Sequence, residues 1–195
     1  IDRYFPDVKC NYVAIDNFKA SYSITRHMIE NGAKRIGLVT YKSTLLHLQE
    51  RKKGYTAALK ENKLPSKKMW IKEISNGNEK TEIEAAIDQL TSSEESVDAI
   101  LFASNIISSF GLKFINSLSL KVPEQIMLAS FDETEASELF YAPLTYIKQP
   151  LEQIGKLATN ILLNKINKPN NELIQVKLEA ELVTRKSTQR KKTKM

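Results

Sequence analysis

Ser130-Phe131-Asp132-Glu133 follows directly on the apolar run Gln125 to Ala129, and a little further on stands Pro143-Leu144-Thr145-Tyr146-Ile147-Lys148-Gln149-Pro150. A carboxylate at the mouth of a buried strand and an amide just ahead of a helix start both face a cleft, where they can bind a polar ligand. Two further residues take comparable positions. Asn105 follows the strand-like Val97 to Ala103, and Arg51 falls in the first turn of a helix expected from Gln49 to Asn62. A carboxylate accepts two hydroxyl donors, a carboxamide donates and accepts, and a guanidinium offers a planar fork; around an apolar floor these groups suit a sugar or a nucleobase. Each also has a local reading, Asn105 as a helix N-cap and Asp132 as a turn former. Three polar residues at three strand ends of one sheet favour a shared site.

Catalysis has no comparable constellation. The glycines at 32, 37, 54, 77, 111 and 155 form no G-x-G-x-x-G and no phosphate loop ending in Gly-Lys-Ser/Thr, so the backbone requirement for cradling a nucleotide is not met. Neither a nucleophile elbow nor a histidine pair at metal spacing occurs, and no cofactor or metal is implied. His27 lies mid-helix, as a surface or core-edge histidine. His47, in the loop after the second strand, faces either a ligand or solvent. A small α/β enzyme is the weakest of three functional classes, because no set of nucleophile, base and anion hole can be assembled.

The elements that position these residues alternate. Tyr12 to Asp16 is a short apolar run whose Asp16-Asn17 can cap the next helix, where Ala20, Ile24, Met28 and Ile29 recur at helical spacing before Asn31-Gly32 stops it. Strand-like runs follow at Arg35 to Thr40, Trp70 to Ile74, Val97 to Ala103 and Ile126 to Phe131, separated by helical patterns at Gln49 to Asn62, Glu79 to Leu90 and Ile106 to Leu118. This order predicts right-handed crossovers and an open, doubly wound parallel sheet, with ligands outside the carboxyl ends of the strands. Those ends are Thr40, Ile74 to Gly77, Ser104-Asn105 and Asp132. Beyond Asp132 the alternation lapses into a loop, an extended Leu144 to Lys148, a helix from Leu151 to Ile166 and an extended Leu173 to Thr184. These last pieces are expected largely in a second subdomain. Phe110, Phe140 and Tyr141 fall near helix and loop surfaces and could form an apolar patch for a partner.

Of 195 residues, 29 are basic and 23 acidic, a formal charge of +6. Six of the basic residues, Arg185, Lys186, Arg190, Lys191, Lys192 and Lys194, lie in the last stretch with no acid among them, so the rest of the chain balances at 23 of each. The excess is a tail, expected to be solvated and disordered rather than a DNA-binding surface. Cys10 is the single cysteine, which excludes an internal disulfide framework and fits a reducing compartment, the cytoplasm by default. No stretch approaches the ~20 apolar residues of a membrane span. Ile1-Asp2-Arg3 reads as the tail of a strand already under way, so the chain is expected to be cut from a longer one.

Taken together these pieces resemble the LacI/GalR family of bacterial transcription regulators, over nearly the whole chain from Asp2 to about Ser187. The resemblance rests on Val13-Ala14-Ile15-Asp16-Asn17, His27 to Ile36, Arg51-Lys52-Lys53-Gly54-Tyr55, Asp98 to Asn105 with Gly111, Val122-Pro123, the SFDE and PLTYIKQP segments, and Leu182 to Ser187. It implies a periplasmic-binding-protein-like type I fold in which two α/β subdomains close on a small effector, and a helix-turn-helix in the missing N-terminal part that reads operator DNA as a homodimer. Within it, residues 1–12 would end a mostly missing first subdomain, 13–135 form a complete one, 136–183 run between the two, and 184–195 make the basic tail. Carried over by position, Asp2, Arg51, Asn105, Asp132 and Gln149 would contact the effector, a sugar or sugar derivative. Leu45 matches a loop position used for ligand contact in some members, His47 is a further candidate contact, Leu151 would line the site's edge, and Phe110 and Tyr141 would meet the second subunit. Ile106 stands where many members place an acid, and the loop from 41 to 48 is less polar than a sugar pocket usually wants. The runner-up function is the substrate-binding component of a sugar transporter, which shares the closing cleft.

Overall fold

The computed structural model describes residues 1–190. In chain order the elements are β1 (Tyr12–Ile15), α1 (Asn17–Glu30), β2 (Ile36–Tyr41), α2 (Leu46–Glu61), β3 (Ile71–Ile74), α3 (Glu79–Ser92) and β4 (Ala99–Phe102). There follow α4 (Asn105–Ser117), β5 (Met127–Phe131), α5 (Glu135–Leu139), β6 (Thr145–Lys148), α6 (Leu151–Asn167), β7 (Gln175–Leu178) and β8 (Glu181–Val183). Asp16 caps α1 through its side chain, as the sequence led us to expect, accepting from the Lys19 amide at 2.8 Å.

Six strands form one sheet in the order β3-β2-β4-β5-β6-β8. All pairs are parallel except β6 with β8. Alternation along each strand divides the core into two layers. Val39, Ile100, Phe102 and Leu128 point to the side covered by α3 and α4, where Ile83, Ile87, Leu112 and Ile115 pack on them. Leu38, Ala99, Leu101 and Phe131 point to the other, covered by α1 and α2 through Ile24, Met28, Tyr55 and Leu59. Two glycines permit this closeness. A Cβ at Gly54 would fall 2.2 Å from the Phe18 carbonyl oxygen, and one at Gly111 would fall 2.7 Å from the Phe102 ring, so α2 presses on α1 and α4 on β4.

The expected doubly wound parallel sheet is therefore present, with three differences of detail. β1 was assigned with the large sheet from residue 13 onward; it pairs instead with β7 in a separate two-stranded sheet, Tyr12 to Ile15 against Gln175 to Leu178. An apolar run of this length carries no mark of which sheet it joins, and here Val13 and Ile15 pack against Ile154 of α6. The pieces after Asp132, expected largely in a second subdomain, divide, with β6 and β8 pairing in the large sheet and α6 and β7 in the small unit, because the extended runs carry no mark of which sheet they join. The end of the chain is not a solvated tail from residue 184. Ser187 and Thr188 are fully buried. Ser187 Oγ donates to Leu128 O at 2.6 Å and accepts from the Thr145 amide at 2.8 Å, while Thr188 Oγ1 meets Thr145 Oγ1 at 2.7 Å and His27 Nε2 at 2.8 Å. Arg190 then donates to the carbonyls of Pro123 and Asp98. The remaining basic residues of that stretch, 191–195, lie outside the described residues.

A candidate effector cleft

The strand order reverses between β2 and β4, with β3 placed on one side of β2 and β4 on the other. In open α/β sheets the crevice outside the carboxyl ends at such a reversal is where ligands bind. A cavity of about 330 Å³ lies there. It is lined by Asp2, Leu45, His47, Arg51, Asn105, Asp132 and Gln149, so seven of the eight residues named for ligand contact share one space. Leu151, 70% exposed, stands outside it, on an adjoining groove of about 1110 Å³ that shares Asn105, Asp132 and Gln149.

Each polar group is held by its element. Asp132 directly follows β5 in the left-handed backbone region, with φ +66°, a conformation that Asp tolerates better than most residues. Its amide donates to Ile147 O at 3.0 Å, and its Oδ1 accepts from Gln149 Nε2 at 2.6 Å. The side chains singled out in SFDE and PLTYIKQP are thus joined directly. Asn105 opens α4, and the cap belongs to Ser104, whose side chain accepts from the Ile107 amide. Asn105 Oδ1 accepts from the Ile106 amide at 2.8 Å, which leaves its amide nitrogen as the donor toward the cavity. Ile106, half exposed, lines the same wall. Asp2 is held by its amide, which donates to Val13 O at 2.9 Å.

Arg51 differs from the sequence reading. Because α2 begins at Leu46 rather than near Gln49, Arg51 stands in the second turn and is only 4% exposed. Its Nε donates to Asn17 Oδ1 at 2.8 Å and its Nη1 to Ala103 O at 2.7 Å, and its guanidinium lies 3.9 Å from the centroid of the Phe131 ring. Burial pulls its pKa down to about 10, opposed by the nearby carboxylates of Asp132 and Asp2. Half of its fork is therefore committed to the protein, and Nη2 is left toward the cavity. His47, in the first turn of α2, has its pKa lowered to about 4 by burial and then by the Arg51 charge, so its ring is neutral at neutral pH.

Asn17 was taken from the sequence only as a helix cap. It is 1% exposed and accepts from Arg51, a partnership across 34 positions that no local pattern shows. Tyr41, Ser43 and Glu79 also line the cavity and were not named as contacts, while Asn76 was marked only as part of a strand end; their signal was position, just beyond the carboxyl ends of β2 and β3. Phe110 and Tyr141 are not part of the cavity. Phe110 packs against the α3/α4 layer, and Tyr141 is 57% exposed with its hydroxyl accepting from the Val122 amide and donating to Leu120 O. Phe140, expected at the surface, is buried at 8% and packs against the Tyr141 ring at 4.6 Å between centroids.

The sheet order and this cavity define an open α/β domain with a polar crevice outside the carboxyl ends of its strands. A family model for the periplasmic binding protein-like domain matches residues 25–188. The HTH-type transcriptional repressor PurR of Aliivibrio salmonicida (strain LFI1238) is 33% identical over 183 residues, covering 93% of this chain and 54% of the repressor. A LacI family transcriptional regulator from Mycobacterium smegmatis superposes with a TM-score of 0.82 at 25% identity, over 96% of this chain and 68% of that one. The transcriptional regulator CelR in complex with cellobiose gives 0.82 at 25% identity, over 93% and 55%. The chain belongs to the periplasmic binding protein-like domain family. It spans about half the length of the curated relatives it matches.

Proposed function

We propose that this chain is the effector-sensing part of a LacI-type transcription regulator, not an enzyme, and works in the cytoplasm. A sugar-like molecule held at Asp2, Arg51, Asn105, Asp132 and Gln149 would change how a homodimer, meeting partly through the face bearing Phe110 and Tyr141, presents a helix-turn-helix to operator DNA. That DNA-binding element lies outside this chain. The observation that carries the reading is the convergence of seven separately named residues on one cavity at the reversal of strand order. An effector that also contacts the small sheet would favour one placement of the two units over others, which is all a ligand needs to shift a regulator between states. Leu139, 85% exposed, beside Tyr141 supplies the apolar surface that such a dimer would cover.

The test is a two-dimensional NMR titration of the 195-residue chain with glucose, ribose and cellobiose. Binding in about the millimolar range is expected, because one side of the cleft alone offers few contacts. Shifts should cluster on the amides of Asn105, Asp132 and Gln149. Shifts that map elsewhere overturn the reading, as would a nanomolar complex of this chain alone with operator DNA in a gel-shift assay.

A further inference from the structure

We propose that the cavity selects an uncharged, hydroxyl-bearing effector over its phosphorylated or carboxylated counterpart, and that Asp132 enforces the choice. The inference rests on the reading of the site given above and narrows the class of ligand it takes.

Three carboxylates, those of Asp2, Glu79 and Asp132, line the cavity against two cations, Arg3 and Arg51. Arg3 is already engaged, its Nε lying 3.8 Å from the Asp2 carboxylate. Arg51 shares its charge with Asn17, Ala103 O and the face of Phe131. His47 adds no positive charge at neutral pH, since burial and the Arg51 charge keep it unprotonated. The adjoining groove does not reverse the balance. Its lining holds Lys148 and Lys156 against Asp132, Glu133, Glu135 and Glu152, and Lys156 is paired with Glu152.

The free hydrogen-bonding atoms point the same way. Once Gln149 Nε2 has donated to Asp132 Oδ1, Asp132 Oδ2 and the side-chain Oε1 of Gln149 are acceptors without a hydrogen-bond partner among the described residues. The donors left beside them are Asn105 Nδ2 and Arg51 Nη2. A hydroxyl both donates and accepts, so neighbouring hydroxyls can satisfy such a mixed set. A phosphate or carboxylate only accepts. It would leave the two acceptors unpaired and set its charge against the Asp132 carboxylate, a repulsion that grows as water leaves the cleft. Leu45, Leu48 and Ile106 supply the apolar wall that the C–H face of a sugar ring needs.

The test uses three matched pairs on the 195-residue chain, followed by NMR titration: glucose with glucose 6-phosphate, ribose with ribose 5-phosphate, and cellobiose with its 6-phosphate. In every pair that binds, the neutral member is expected to bind at least about tenfold more tightly, and added salt should narrow the gap. Asp132→Asn removes the charge while tolerating the left-handed backbone and keeping an oxygen for Gln149, so it should reduce the preference to about threefold or less. A phosphorylated sugar that binds as tightly as its parent overturns the selectivity. A preference unchanged in Asp132→Asn overturns the role of Asp132. If Asp132→Asn fails to fold, the wild-type pairs still decide the selectivity. Six compounds that all leave the cavity amides unshifted overturn the site itself, an outcome separate from the other two.

Discussion

The six-stranded unit and the small unit of β1, β7 and α6 follow the same rule, an apolar face laid on a sheet, yet they satisfy it to different degrees. In the large unit both faces of the sheet are covered, and Phe102, Phe131, Tyr55 and Ile87 are fully buried. In the small unit the buried apolar residues among those described are few, Val13, Ala14 and Ile15 of β1 and Ile154 of α6. Leu151, Leu162, Leu163 and Ile166 of α6 are all at least half exposed, so the helix keeps an amphipathic pattern without a matching cover among the described residues. Amphipathic pattern sets which face of a helix turns inward, but the depth of the layer beneath it sets how much stability results. The polar groups of the cavity stand mainly on the deep layer. Arg51, Asn105 and Asp132 are held by elements whose apolar sides are saturated, which fixes their geometry before any ligand arrives.

Paired truncations test this contrast most strongly. Phe131→Ala removes a fully buried ring on which α1 and α2 pack and on which the Arg51 guanidinium lies, and should cost about 3–5 kcal/mol by urea denaturation. Val176→Ala, on β7, should cost no more than about 1 kcal/mol, since its side chain is only half-buried. Equal costs would show that the small unit is packed as tightly as the large one, and the comparison would fail.

His47 gives a smaller, pH-dependent effect confined to the cavity side. Its folded pKa of about 4 lies below the unfolded value of 6.5, so between these pH values the unfolded chain binds the proton more readily. The stability is fully present above about pH 6.5 and is lost as pH falls toward about 4. After discounting for partial exposure, wild type should lose about 1–2 kcal/mol more than His47→Asn between pH 7 and pH 4. Parallel curves for the two proteins would mean that the histidine is solvated and the cavity more open than its packing indicates.

Much of the large sheet was legible because its strands are short apolar runs between helices with 3.6-residue spacing, and because polar residues at strand ends mark the binding side. Asn105 and Asp132 could be named on that logic, and Gln149 from its place just ahead of a helix start. What local pattern does not carry is pairing across the fold. The sequence of β1 gives no reason to choose β7, 163 positions from Tyr12 to Gln175 along the chain. Composition marked the stretch after Thr184 as a tail, yet Ser187 and Thr188 are fixed by partners at Thr145, Leu128 and His27, contacts that charge counting cannot anticipate. Arg51 lines the cavity, yet the sequence could not show that its fork is partly committed, because its acceptors, Asn17 and Ala103 O, come from other elements.

The junction of the two units offers the finest test. Lys177 of β7 donates to Glu50 of α2 at 2.9 Å, and its ammonium lies 5.7 Å from the Tyr4 ring, which stacks on Tyr12 at 3.9 Å between centroids. The second Glu50 oxygen is buried without a partner. Removing Lys177 would therefore leave a mostly buried carboxylate with neither oxygen paired, whereas removing its charge as well restores the balance. Lys177→Met should cost about 1 kcal/mol, and adding Glu50→Gln should recover at least half of that loss, read as a double-mutant cycle in urea. Because Glu50 precedes Arg51 on α2, a strained Glu50 would displace the guanidinium, and Lys177→Met should also weaken sugar binding about twofold to threefold. A cycle that closes with no coupling would mean that backbone and apolar contacts alone join the small unit to the large one, leaving this pair no part in setting their relative position.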